Sequence, residues 1–233
     1  MNARRLSTLV LLALGLALFA HSAHAQSQQP DSASVRWDPF WRVSQLGANY
    51  GYASTSEEAN ATFGNGREWT FFVNQRAWKV FGARIAYGNI SLGEAKDFEA
   101  AYLTAIDVFG QSYSEIALTV EYFSLGPSVH LDLGVRHGLT LSGAYGWYTI
   151  ILDLTDTLGR SFVPRTRAEG WMANAAYSFW PWEKTAFRFE VDYHSIETNP
   201  SNVDFYNLFT DGEDPTLWSY QFGIVYAYGN IFQ

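Results

Sequence analysis

The chain has 233 residues, with 15 Lys+Arg against 23 Asp+Glu, and a formal net charge of −8. It has no Cys, which excludes a disulfide framework, a thiol nucleophile and a thiolate metal site. The acidic balance argues against nucleic acid as a partner, because binding phosphates needs clustered Lys and Arg.

The chain opens with Arg4 and Arg5, an apolar run from Leu9 to Ala20, and Ala23-His24-Ala25. This is the n-region, h-region and A-x-A site of a secretory signal peptide, so residues 1–25 are expected to be removed. The apolar run is shorter than the roughly 20 residues a spanning helix needs. Losing it removes two cationic residues and no acidic ones, which leaves a mature charge of −10. Residues 26–39 read as a short leading segment, and 40–233 as one domain.

That domain reads as a series of period-two strands, each with one bulky apolar face. Strand one spans about Phe40–Ala53, with Leu46, Ala48, Tyr50 and Tyr52 on the bulky face. After the loop Ser54–Asn65, strand two is Gly66–Asn74 and Gln75–Trp78 is a turn. Strand three is Lys79–Ser91, with Phe81, Ala83, Ile85 and Tyr87 on the bulky face. The loop Leu92–Ser114 has some strand character of its own. Strand four is Glu115–Val135, with a bulge or the start of the extracellular extension expected near Phe123–Pro127, where the alternation slips. A tight turn at Arg136-His137-Gly138 leads to strand five, Gly138–Asp153. The loop Thr155–Pro164 leads to strand six, Arg165–Phe179, with Trp171, Ala173, Ala175, Tyr177 and Phe179 on the bulky face. Trp180-Pro181-Trp182-Glu183 is a turn, and strand seven is Lys184–Glu197, with Phe187, Phe189, Val191 and Tyr193. The polar loop Ser201–Asp214 precedes strand eight, Pro215–Phe232, where Trp218, Tyr220, Phe222, Ile224, Tyr226, Tyr228 and Phe232 share one face.

Nine Trp, 14 Tyr and 17 Phe beside a mean hydropathy of −0.11 fit strands that face lipid on one side and a polar lumen on the other. The expected fold is all-β: an eight-stranded, antiparallel, up-and-down transmembrane β-barrel with short periplasmic turns and longer external loops. An even strand count places both termini in the periplasm. A lipocalin-type barrel is the alternative, but its outer face is polar, whereas here the bulky face would be exposed on nearly every strand. Trp78, Trp180 and Trp182 are placed in an interface girdle at the turn side.

The signal peptide, the eight-strand rhythm, the terminal strand Tyr220–Phe232 and the turn-side tryptophans resemble the small outer-membrane β-barrel proteins of Gram-negative bacteria. That broad group contains the OmpA membrane domain, OmpX and OmpW. The resemblance covers nearly all of the mature chain and implies a location in the outer membrane. It also implies that the barrel-assembly machinery reads Tyr226, Tyr228 and Phe232 as an insertion signal. Phe232 is penultimate here, with Gln233 after it. Outer-membrane lipid and lipopolysaccharide would be partners, and the partner of the external loops is left open.

If the aromatics point out, Arg84, His130, Asp132, Arg188, Glu190, Asp192 and His194 point in. Gln45, Asn49, Asn174 and Ser178 join them. Charges of both signs in a narrow space are expected to pair, since an unpaired one loses its water. Height above the turns pairs Arg84 with Asp132. An eight-stranded barrel is about wide enough for side chains to fill, which favours a plugged lumen over a narrow OmpW-like channel for small solutes.

A lipid A-modifying enzyme is a third reading, using His194, Ser195 and Glu197. Adjacent strand residues point to opposite faces, so His194 and Ser195 would not meet as base and nucleophile. No catalytic residue, metal site or cofactor is therefore assigned. The acids Asp204, Asp211, Glu213 and Asp214 match no calcium-loop spacing. The resulting expectation is an outer-membrane protein with a structural or surface-interaction role and a largely filled lumen.

Overall fold

The computed structural model describes residues 44–55, 63–78, 80–95, 110, 112–197 and 215–228. Eight long strands make the wall: β1 Ser44–Thr55, β2 Gly66–Trp78, β3 Phe81–Glu94, β4 Tyr113–Asp132, β5 His137–Asp156, β6 Arg165–Phe179, β7 Thr185–Glu197 and β8 Thr216–Ala227. A two-residue strand, Ser161–Phe162, lies against Leu154 and Thr155. Every neighbouring pair is antiparallel. β1 joins β8 from Gln45↔Ala227 to Thr55↔Leu217, and this seam closes the sheet into a barrel. Closure leaves no open edge along the wall.

The in-and-out alternation follows the sequence reading on the strands to which it assigns a bulky face, because the side-chain period of two fixes facing once one residue is placed. Three features differ beyond shifts of two or three residues at other strand ends. Strand two runs four residues further, to Trp78, so Arg76 is a wall residue rather than part of a turn. The turn between β4 and β5 lies at Leu133–Arg136, where the Leu133 N–H donates to the His137 carbonyl at 2.9 Å. There is no bulge at Phe123–Pro127, since the β3–β4 register runs unbroken from Phe81↔Val129 to Ser91↔Thr119. What slips there is residue size: Ser124, Gly126 and Ser128 are small inward residues, with the facing unchanged. The register shifts sit higher, between Ser91 and Gly93 and between Tyr113 and Glu115.

β3, β4 and β5 rise well beyond the other strands, so the long-loop rim is slanted. At its top β5 turns back through a clamp. The Leu158 and Arg160 N–H groups donate to Asp156 Oδ1 at 2.9 and 2.7 Å, and the Arg160 guanidinium donates to Oδ2 at 2.7 Å. Gly159 has φ +76°, a conformation that favours glycine. The Arg160 backbone N–H is the main cause holding the Asp156 carboxyl below its ordinary 3.8. A lowered carboxylate pKa contributes stability above the ordinary value and loses it as pH falls through the folded one. The tip is therefore expected to fray only in acid. Hydrogen exchange of the Leu158 and Arg160 amides, compared at neutral pH and below about pH 3, would show it. Equal protection at both would count against the clamp.

Glycines make the interior fit. Gly47 lies directly opposite Phe72, and a Cβ there would meet Phe72 Cζ at 2.3 Å. Gly88 lies opposite Tyr122, and a Cβ there would meet its ring at 2.5 Å. Each notch holds the ring from the next strand.

Candidate functional site

The lumen is the candidate site, and it is built in two tiers. The lower tier, toward the short turns, is polar. β7 presents Arg188, Glu190, Asp192 and His194 inward, all 0 % exposed. Glu190 is the hub. Arg84, reaching across from β3, donates to its Oε1 at 2.5 Å and its Oε2 at 3.2 Å. Arg188 Nε donates to Oε2 at 2.5 Å. Both guanidiniums also lie 4.5 Å from the centre of the Phe72 ring, so one aromatic ring and one carboxylate hold two cations.

Above the hub a hydrogen-bonded chain crosses the barrel. Asn174 and Gln221 donate to the two Asp192 oxygens at 2.5 and 2.7 Å. Thr70 Oγ1 donates to Gln221 Oε1 at 3.0 Å and lies 2.8 Å from the Tyr122 hydroxyl. That hydroxyl donates to Glu68 Oε1 at 2.5 Å. His194 Nε2 is 3.6 Å from the same oxygen, and its Nδ1 is 3.2 Å from the Tyr148 hydroxyl.

Five of the seven residues expected in the charge network are thus brought together or adjoin it: Arg84, Arg188, Glu190, Asp192 and His194. Two are not. His130 does point inward, but it bonds the hydroxyls of Ser128 at 2.9 Å and Thr140 at 3.3 Å instead of a carboxylate. Asp132 pairs with Arg76 at 2.9 Å near the turn-side rim, and not with Arg84. The reason is stagger. Arg84 is level with Gly126, so Asp132 lies six residues further along β4, about 20 Å away along the strand. Counting heights from separate turns ignores that offset. Glu68, Thr70, Tyr122 and Tyr148 escape the sequence reading altogether, although the inward parity of β2 and the aromatic partners of Gly88 and Gly146 carry a signal.

The upper tier is apolar. Ile90, Leu118, Val120, Leu152 and Leu154 line it and pack together with Phe63. The outer surface has the opposite order. Below a ring of one aromatic per strand the outward residues are apolar. The ring comprises Tyr52, Trp69, Tyr87, Phe123, Trp147, Trp171, Tyr193 and Trp218. Its members touch in places: Trp69–Tyr87 at 5.6 Å, Phe123–Trp147 at 5.7 Å and Tyr193–Trp218 at 4.8 Å. Above it the outward residues turn polar, with Asn89, Glu121, Asp153, Arg165, Arg167, Glu169 and Glu197. Inside and outside therefore swap polarity at one level.

This ring lies on the long-loop side, whereas the sequence places a girdle at the turns. Trp182 is exposed there and lies near Phe187, with ring centres 5.9 Å apart. Trp180 is a correction: it is 1 % exposed and sits inside the barrel end with Phe72, Ala186 and Val225. The Trp180 backbone N–H donates to the Arg136 carbonyl, which ties the turn across that end. Pro181 separates two tryptophans that face opposite ways. The Trp78 side chain and Phe232 lie outside the described residues. Tyr226 points outward, half-buried, and the Tyr228 N–H donates to the Ser44 carbonyl at 3.0 Å. His194 is inside and Ser195 outside, so the candidate triad with Glu197 is not assembled. No group of three or more metal-ligating side chains occurs among the described residues.

No protein family matches the sequence, and no curated protein does. The fold is similar to solved outer-membrane barrels. Neisserial surface protein A superposes with a TM-score of 0.53 at 8% identity, over 79% of this chain and 97% of that one. A major outer membrane protein from Thermus thermophilus gives 0.52 at 10%, over 77% and 98%. The chain has the fold of the small outer-membrane β-barrels.

Proposed function

We propose that this chain, carrying the fold of the small outer-membrane β-barrels, sits in the outer membrane as a sealed barrel. Its role is structural or surface-interacting, without catalysis. The apolar band lies in lipid, the aromatic ring marks its outer boundary, and the slanted rim stands outside. Both termini are then periplasmic. Tyr226, Tyr228 and Phe232, near the C-terminus of the sequence, serve the assembly machinery. The swap of polarity at the ring supports this placement. From Trp218 to Tyr226 the apolar face of β8 covers about 27 Å along the strand, which a tilt near 40° converts to about 20 Å of thickness.

The observation that carries the sealed lumen is that Arg188, Glu190, Asp192 and His194 are 0 % exposed. Charges lining a water-filled channel would be wetted. Single-channel recording of the refolded protein in planar bilayers is the test, with Arg188→Ala alongside. The expected wild-type result is no discrete conductance despite confirmed insertion. Stable openings whose size changes with Arg188→Ala would replace this reading with a charge-lined channel.

A further inference from the structure

We infer that the lower lumen holds a monatomic anion, a chloride, between Arg188 and Asn49. This rests on the sealed lumen proposed above. Arg188 Nη1 and Nη2 are buried without a hydrogen-bond partner among the described residues, and so are Asn49 Nδ2 and Oδ1. Arg188 is 0 % and Asn49 3 % exposed, so solvent outside the barrel does not serve them. Register brings the two residues level. Asn49 lies opposite Gly223 on β8, and Gly223 lies opposite Arg188 on β7. Gly223 puts no side chain between them. The Asn49 carboxamide leans over that gap, since a Cβ on Gly223 would meet its Oδ1 at 2.1 Å.

Charge selects the guest. Arg84 and Arg188 share Glu190 as their carboxylate, which leaves one positive charge without a counter-charge. The other lumen acids do not supply it. Asp132 is held by Arg76. Asp192 accepts from Asn174 and Gln221, and Glu68 accepts from Tyr122 and lies beside His194. Phe72 lies against both guanidiniums, but a ring quadrupole offsets only part of a charge. An uncompensated buried charge is costly. The donors tip the same way. Arg84 Nε and Asn74 Oδ1 also lack partners, but these residues stand directly opposite each other, donor against acceptor. Around Arg188 donors are in excess: two guanidinium nitrogens and the Asn49 amide nitrogen meet a single carbonyl oxygen. Surplus donors and surplus positive charge in one closed space suit a small anion. The closed walls exclude phosphate and sulfate by size, and chloride is the common monatomic anion in water.

The test folds the protein into phosphatidylcholine vesicles in sodium chloride or, at equal ionic strength, in sodium gluconate, whose anion is too large for the site. The thermal midpoint of heat-modifiable migration reports binding. Radiolabelled chloride left on the barrel after gel filtration reports capture. The expected result is a higher midpoint in chloride and about one labelled ion per barrel, released on unfolding. Arg188→Met leaves one cation for one carboxylate, and Asn49→Asp puts a fixed negative charge in the ion's place. Both variants should lose the label and the midpoint difference. Equal midpoints with no retained label in the wild type overturn the anion, and need no variant to do so. Label that persists in both variants also overturns the site, because the ion then lies elsewhere. A higher wild-type midpoint in chloride, lost in both variants, with label that washes out, keeps the site and overturns the seal, so the two ideas fail separately.

Discussion

Glu190→Ala is expected to lower the stability of the folded barrel by about 3–5 kcal/mol, the range for breaking a buried ion pair from one side. Glu190 is the carboxylate for two guanidiniums at once, Arg84 at 2.5 Å and Arg188 at 2.5 Å. All three side chains are essentially unexposed, so neither arginine can recover water when its partner goes. Phe72 would still lie 4.5 Å from each cation, but a ring quadrupole replaces little of a carboxylate. Urea midpoints of the wild type and variant in vesicles would measure the loss. A shift under about 1 kcal/mol would mean that water reaches the hub and that the lumen is not sealed. Arg84→Ala should cost less than Glu190→Ala, because Arg188 keeps Glu190 neutralised.

Gly47→Ala should cost about 1–3 kcal/mol, an overpacking penalty from one added methyl. The new Cβ would lie 2.3 Å from Phe72 Cζ and 3.0 Å from the Ile224 carbonyl oxygen. Phe72 cannot swing aside freely, since Arg84 and Arg188 flank it. The diagnostic arm is the double variant Gly47→Ala/Phe72→Leu. If the notch exists to seat the ring, the second change should return part of the loss, a coupling that a double-mutant cycle isolates. Strictly additive effects would show that Gly47 serves the backbone and not Phe72.

Most of the wall is legible in the chain because facing in a strand needs one correct assignment and period two supplies the rest. Strand eight shows this: Trp218, Tyr220, Phe222 and Ile224 all face out, as their alternation requires. Which inward residues meet is far less legible. Pairing across a barrel depends on stagger, and stagger is set by all eight registers together. Arg84 therefore reaches Glu190 on a distant strand, and Asp132 finds Arg76. Glu68 is hidden for a simpler reason. On β2 the inward row is Glu68, Thr70, Phe72, Asn74 and Arg76, and the bulky Phe72 in its middle blurs the contrast with the outward row. Trp180 is hard to place because one turn carries two tryptophans of opposite burial, and aromatic content alone assigns them the same role. The outer ring is readable in retrospect, as the last aromatic before the outward face turns polar on each strand.

The seam between β1 and β8 also dictates an order of events during folding. It joins Gln45 to Ala227, nearly the whole length of the barrel chain. Bringing such distant ends together costs loop entropy before any seam contact repays it, so closure is late and slow. Until then the lumen is an open, wetted trough in which Arg84 stays hydrated and apart from Glu190. Thr70 and Gln221, 151 residues apart, lie on either side of β1 and meet only once the seam is made. The cross-lumen link from Arg84 to Glu190 thus contributes little to the early sheet and is formed at the closing step, whereas Arg188 and Glu190 already neighbour each other on β7. Variants at Glu190 should leave early strand formation unchanged and act chiefly on how fast the finished barrel opens again.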